Sequence, residues 1–268
     1  MTDPTRDPRE PEILVIQPDP SGGLDRFAGW LAAEGVRVRT VRPFAGEAVP
    51  REVAADGLIM LGGAMGTRDV DRHPWLADIA RLLRRSTDAA VPTLGICLGA
   101  QLLAHALGGE VQRGARGPEI GLTRIDWLDS AQDDALCRGL PAPFHAAGFH
   151  FDEIVRMPHG AVHLGASDLY RHQVFRVGSA WGVQFHPEVS PDSFRSWRDE
   201  AVETAPAFAE QYSRLADELA QADGEVVAGT RALARRFAGI VRTAAHETEP
   251  VRRPRAAAPA AVVTPRAQ

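Results

Sequence analysis

Cysteine is scarce in this chain: Cys97 and Cys137 are the two in 268 residues. That excludes a disulfide framework, and the free thiols suit a reducing cytosol. No apolar run approaches the ~20 residues needed to cross a bilayer, so a membrane span is not expected. Met1 to Pro11 is polar, with acids and prolines, unlike an export leader. There is no excess of positive charge either, with 30 Lys and Arg against 35 Asp and Glu and a net charge of -5. A nucleic-acid surface is therefore not expected. The glycine patterns of phosphate-binding loops, G-x-x-x-x-G-K-[ST] and G-x-G-x-x-G, are both missing, as is any internal repeat. No metal and no cofactor is expected, and the chain reads as cytoplasmic.

What is present is ordinary for a folded domain: 44% hydrophobic and 24% charged residues, enough for one large α/β domain or a domain with an appendage. Glu12 to Gln17 reads as a buried strand. A Pro/Ser/Gly turn follows, then a helical stripe at Leu24, Phe27, Ala28 and Leu31 that ends at Gly35. Val36 to Val41 alternates apolar with polar and suits a strand near a sheet edge. Gly57 to Leu61 is a third strand, running into Gly62-Gly63-Ala64-Met65-Gly66. Open α/β sheets place ligand contacts at such strand ends. A helix opened by His73-Pro74-Trp75 carries Leu76, Ile79, Leu82 and Leu83 on one face; Arg81, Arg84 and Arg85 lie off it as a solvated face. The order β-α-β-β-α-β-α implies a three-layer α/β/α fold around a mostly parallel sheet.

From Glu110 to Gly165 the texture changes to short strand-like pieces, at 110–113, 120–128, 144–151 and 161–164, punctuated by prolines. An antiparallel insertion or sheet extension is expected there. A hairpin over 173–185 turns at Gly178-Ser179 and leads into His186-Pro187-Glu188. Helical stretches over 194–204, 208–222 and 226–244 follow, to pack on the domain or on a partner. The organisation read from this is a flexible N-terminus over 1–11, an α/β domain over 12–190, a helical extension over 191–248 and a tail over 249–268. The tail, rich in Ala, Pro and Arg, is expected to be disordered.

The chemistry centres on Thr93 to Gln101, TLGICLGAQ. Val91 to Ile96 reads as a buried strand, and Leu98, Leu102, Leu103, Ala106 and Leu107 recur at helical spacing until Gly108-Gly109. Cys97 thus sits at a strand-to-helix turn with a glycine two residues to either side, the layout of a nucleophile elbow with Cys in place of Ser. The helix N-terminus favours thiolate, and the Leu98 N–H would face an oxyanion formed at the attacked carbon. A buried structural cysteine would fit the same spacing taken alone. Far downstream, His186 and Glu188 follow a strand, two positions apart, so extended geometry puts both side chains on one side. Imidazole against the thiol with carboxylate behind it is a Cys-His-Glu relative of the serine triad. Singly, the two residues also fit a strand-end histidine and a surface acid. Cys137 has no acid–base neighbour in sequence and reads as structural.

Gly95 to Gln101 (GICLGAQ) together with Gly182 to Glu188 (GVQFHPE) resembles the triad-type, class I glutamine amidotransferase family over about Ile13 to Val189. The resemblance is closest to the stand-alone branch similar to the amidotransferase domain of GMP synthase. Supporting segments are Gly62 to Gly66, Asp71-Arg-His-Pro-Trp-Leu76 and Glu119-Ile120-Gly121. The resemblance implies a flavodoxin-like fold in which Cys97 attacks the side-chain amide of glutamine or another γ-glutamyl amide. A γ-glutamyl thioester and ammonia result, and water then releases glutamate. His186 would move protons and Glu188 orient it. Leu98 and Gly63 would supply N–H groups to the oxyanion, next to Gly62, and Gln101 would help hold the substrate. Two departures stand out. Phe149-His150-Phe151-Asp152 replaces the branch's Trp-His-x-Asp, which leaves His150 and Asp152 between substrate contact and structural hydrogen bonding. Leu61-Gly62-Gly63 replaces Pro-Gly-Gly. The resemblance leaves open a γ-glutamyl hydrolase acting alone, a glutaminase subunit serving a separate synthetase, and a fold kept as a non-catalytic binding module. A homo-oligomer is a further open reading. An intracellular cysteine peptidase-like protein shares the elbow but does not need the His-Pro-Glu segment.

Overall fold

The computed structural model describes residues 10–204 and 206–248. Most of the 1–11 segment and the 249–268 tail, expected to be flexible and disordered, lie outside the described residues.

Eleven strands and seven α-helices form among the described residues. β1 (Glu12–Ile16), β2 (Arg37–Val41), β3 (Gly57–Met60) and β4 (Thr93–Ile96) alternate with α1 (Arg26–Ala33), α2 (Trp75–Asp88) and α3 (Leu98–Ala106). The four strands pair in parallel, in the order β2-β1-β3-β4. β2 is the edge strand, as its alternating pattern implies, while Ile13 to Ile16 of β1 are all buried. A strand covered on both faces carries an unbroken apolar run because successive side chains point to opposite layers. Ile13 and Val15 accordingly join Phe27 and Leu31 of α1, whereas Leu14 and Ile16 join Leu76, Ile79, Leu82 and Leu83 of α2.

The antiparallel extension comprises β6 (Glu119–Trp127), β7 (Phe144–His150), β9 (Val162–Ala166), β10 (Val174–Val177) and β11 (Ala180–Val183). β11 pairs parallel with β4, and the sheet continues antiparallel as β11-β10-β9-β6-β7. This half curls back on itself: Ala147 of β7 bridges to His186, just past β11, and the rings of Phe144 and Phe185 lie 5.3 Å apart. β5 (Glu110–Arg113) and β8 (Asp152–Arg156) form a separate two-stranded antiparallel ribbon.

The C-terminal helices are α4 (Pro191–Ser196), α5 (Arg198–Thr204), α6 (Ala209–Gln221) and α7 (Asp223–Thr248). Where the sequence predicts one helix over 194–204 there are two, α4 ending at a C-cap on Trp197. Ser190 caps α4 by accepting from the Ser193 N–H, and Pro191 occupies the first turn. α7 lays Leu233, Ala234, Phe237, Ala238 and Val241 into the core shared with β1, β4 and β11. The helical stretch thus packs on the α/β sheet of its own chain.

Candidate active site

Cys97 is held in a backbone conformation that side-chain-bearing residues rarely adopt, with φ 51° and ψ -110°. Such strain persists only where the surroundings impose it. Here the Cys97 N–H is bonded to the Val183 carbonyl at 2.9 Å, and α3 starts at the very next residue. The flanking glycines are forced by contact rather than by turn angle. A Cβ on Gly99 would lie 2.1 Å from the Met60 carbonyl oxygen of β3, and one on Gly95 would lie 2.6 Å from the Gly99 carbonyl oxygen. The elbow helix therefore sits backbone-to-backbone against the sheet. Its N-terminus places peptide dipoles behind the sulfur.

His186 and Glu188 converge on this turn. The His186 Nδ1 is 2.8 Å from Glu188 Oε1, both side chains are buried, and the His186 N–H is pinned to Ala147 at 2.8 Å. Gly62 lies between thiol and ring: a Cβ there would come 2.8 Å from His186 Cε1 and 3.4 Å from Cys97 Cβ. Burial alone would lower the pKa of His186, yet the Glu188 carboxylate and the charge and hydrogen bonding of Cys97 hold it well above the ordinary histidine value. Among the described residues, the buried His186 Nε2 and Glu188 Oε2 have no hydrogen-bond partner. Cys137 is different. Burial, and then Asp134, push its thiol far above the usual range, so it stays protonated.

The remaining expected residues line the same cavity of about 280 Å³, with the exception of Leu98. Gly63 borders it, and a Cβ on Gly63 would meet Leu98 Cδ2 at 3.4 Å. As the first residue of α3, Leu98 has an N–H with no acceptor inside the helix. Gln101 donates its side-chain amide to the Asp152 carbonyl and to Gln184 Oε1, each at 3.2 Å. His150 is buried, with Nδ1 2.9 Å from the Asp152 carbonyl and Nε2 2.8 Å from Glu119 Oε2. Glu119 also accepts from Ser167 and Gln173. Both ring nitrogens of His150 are thus engaged within the protein. The Asp152 carboxyl is half-buried at the cavity wall. Burial raises its pKa, opposed by Arg113 3.9 Å away and reinforced by Asp69.

Three contacts around Cys97 and His186 are not expected from the sequence. Gln184 Nε2 lies 3.7 Å from Cys97 Sγ, and the Phe149 carbonyl lies 3.6 Å from it. Trp197 packs its ring edge-on against His186 at 4.8 Å and donates Nε1 to the Ser21 carbonyl at 3.1 Å. Gln184 was legible in principle, two positions before His186 on an extended segment. The carbonyl and the tryptophan depend on tertiary placement and leave no local signal.

Fold and site together define a class: three-layer α/β proteins carrying a cysteine elbow opposite a histidine–carboxylate pair. The chain belongs to the family described as glutamine amidotransferase class-I, whose profile matches residues 30–198. It is similar to the glutamine-hydrolyzing GMP synthase subunit of Sulfolobus acidocaldarius, 39% identical over 137 residues, or 50% of this chain and 68% of that one. For the corresponding protein of Methanocaldococcus jannaschii the identity is 38% over 136 residues, covering 50% and 65%. For that of Saccharolobus solfataricus it is 46% over 101 residues, covering 37% and 52%. The matches thus span between half and about two thirds of these curated relatives. A glutamine amidotransferase structure from Thermotoga maritima superposes with a TM-score of 0.76 at 24% identity, covering 85% of this chain and 98% of that one. Another, from Methylobacillus flagellatus, gives 0.72 at 25% identity, covering 88% and 95%. These likenesses establish the flavodoxin-like fold. Among the described residues, no helix is long and apolar enough to cross a membrane.

Proposed function

We propose that this chain hydrolyses the side-chain amide of glutamine, or of a related γ-glutamyl compound, with Cys97 as nucleophile. The observation that carries the reading is the buried His186–Glu188 pair set beside the strained Cys97 elbow. His186 Nε2 takes the thiol proton, and the sulfur attacks the amide carbon. The carbonyl π pair moves onto oxygen, opposite the N–H groups of Leu98 and Gly63. Collapse of that intermediate breaks the C–N bond; His186 returns its proton to the leaving nitrogen, and ammonia departs. Water, deprotonated by His186, then attacks the thioester carbonyl and releases glutamate and the thiol. Glu188 keeps the ring oriented and stabilises its charged form throughout.

The curated relatives are named as subunits of a synthase, which favours delivery of the ammonia to a separate synthetase chain. A second reading, a hydrolase of γ-glutamyl amides that acts alone, is favoured by the cavity. At about 280 Å³, with Arg113, Asp69 and Asp152 at its wall, it has room for a substituent on the amide nitrogen. Release of ammonia or amine from glutamine and from a panel of γ-glutamyl amides and peptides separates the two. Turnover confined to glutamine and stimulated by a synthetase partner supports the first. Preference for substituted amides with no response to a partner supports the second. Absence of turnover on every compound, with and without partner, contradicts both.

A further inference from the structure

The GVQFHPE segment holds one polar side chain to which the mechanism above gives no task. Gln184 is buried at the end of β11, and its amide reaches the nucleophile. Which end of that amide faces sulfur is fixed by a chain of obligatory hydrogen bonds. The backbone carbonyl of Asp152 can only accept, so the Gln101 side-chain atom 3.2 Å from it must be the nitrogen Nε2. The same Nε2 lies 3.2 Å from the Gln184 amide, so Gln184 must present its oxygen there. Its own Nε2, with two N–H groups, is thereby turned toward Cys97 Sγ at 3.7 Å. His150 Nδ1 also contacts the Asp152 carbonyl, 2.9 Å away, which anchors the origin of the chain.

The environment of the sulfur gives this donor a purpose. In the thiol form, Sγ–H points at the Phe149 carbonyl, 3.6 Å away. Once the proton has moved to His186, that carbonyl dipole faces a thiolate and disfavours it. An N–H from Gln184 is the opposing contact. Resting on the reading of Cys97 as nucleophile, we propose that Gln184 is a further catalytic residue. Its amide N–H hydrogen-bonds the Cys97 thiolate and offsets the Phe149 carbonyl, and Gln101 locks it in the donating orientation. Gln101 then has a task inside the protein in addition to the substrate contact implied by the family resemblance.

The test is the pH dependence of Cys97 alkylation by iodoacetamide in the full chain, read by mass spectrometry. The ionisable groups facing the sulfur's cavity are His186, His150, Asp152, Asp69 and Arg113, with Glu188 and Glu119 behind the two histidines. All of them are kept in Gln184→Met, so a change in profile reports the lost N–H. One net hydrogen bond corresponds to about one pH unit, so the alkylation pKa rises by about that amount. The plateau rate at high pH also rises, roughly threefold, because a more basic thiolate is more nucleophilic. A change that merely loosened packing would not couple these two in that ratio. Gln184→Leu, which likewise removes the amide and adds no charge, carries the test if the methionine variant does not fold. An unchanged alkylation pKa in a folded Gln184→Met or Gln184→Leu chain overturns the proposal. Alkylation needs no substrate, so this failure is distinct from that of the hydrolase reading, which would register as turnover retained in Cys97→Ser.

Discussion

At the scale of single residues, the two cysteines of the chain sit in different surroundings. Cys97 stands at a helix N-terminus in the cavity with His186, whereas burial, and then Asp134, push the Cys137 thiol far up. An electrophilic glutamine analogue is therefore expected to label Cys97 and spare Cys137, as peptide mapping would show. Equal labelling of both would contradict a specific pocket. The raised pKa of His186 has a consequence for stability. Its unfolded value is about 6.5 and its folded value lies well above. Below about pH 6.5 the ring is protonated in both states and the stabilisation is fully present. As pH rises toward and through the folded pKa that stabilisation is lost. Thermal unfolding of the wild type should thus drop over that alkaline window, and Glu188→Gln should flatten the drop. A flat wild-type profile that matches the variant would contradict the buried pair. For catalysis, His186→Asn should cost about 10³-fold in kcat. Glu188→Gln should cost less, because it weakens orientation and leaves the ring in place.

Among elements, α4 and α5 show how the junction of two helices contributes to the site. The sequence predicts a single helix because Phe194, Trp197 and Ala201 continue one apolar stripe at i, i+3 and i+7. Periodicity reports which face is buried and is blind to a break that keeps the stripe in register. Trp197 sits at the break, with its indole against His186 and hydrogen-bonded to the Ser21 carbonyl. Trp197→Ala is expected to cost about 3 to 5 kcal/mol of stability. It should also cost on the order of 10- to 100-fold in kcat, through misplacement of the His186 ring; denaturant titration and steady-state kinetics measure the two. Unaltered kcat in the folded variant would confine the residue to packing. The parallel strands were legible because a strand covered on both faces is written as an apolar run, as in Ile13 to Ile16. β8 was not: Asp152–Arg156 buries Ile154, carries charges on either side of it, and pairs in a ribbon outside the main sheet. The cysteine elbow and the His-x-Glu step were legible because their geometry is local. Gln184 needed the three-dimensional path from Asp152 through Gln101 before its amide could be oriented.

For the molecule as a whole, the site lies where two sheet halves meet. The parallel half delivers the Gly62-Gly63 turn and the elbow from the carboxyl ends of β3 and β4, the usual location for ligands in open α/β sheets. The antiparallel half, curled so that Ala147 of β7 meets His186 just past β11, delivers His186 and Glu188 from one side and the Phe149 carbonyl from the other. α7 completes the opposite layer, with Phe237 and Val241 fully buried beneath the sheet. At about 1.5 to 3 kcal/mol per large apolar side chain, α7 is part of what holds the halves in register. In the proposed reaction these two halves close on one covalent step at Cys97. The most direct measurement is acid quenching of the chain during turnover of glutamine, followed by mass spectrometry of the peptide that carries residue 97. A γ-glutamyl adduct on Cys97 is expected, lost on treatment with hydroxylamine and absent in Cys97→Ser. Turnover with no adduct at any quench time, or with the adduct on another residue, would contradict it.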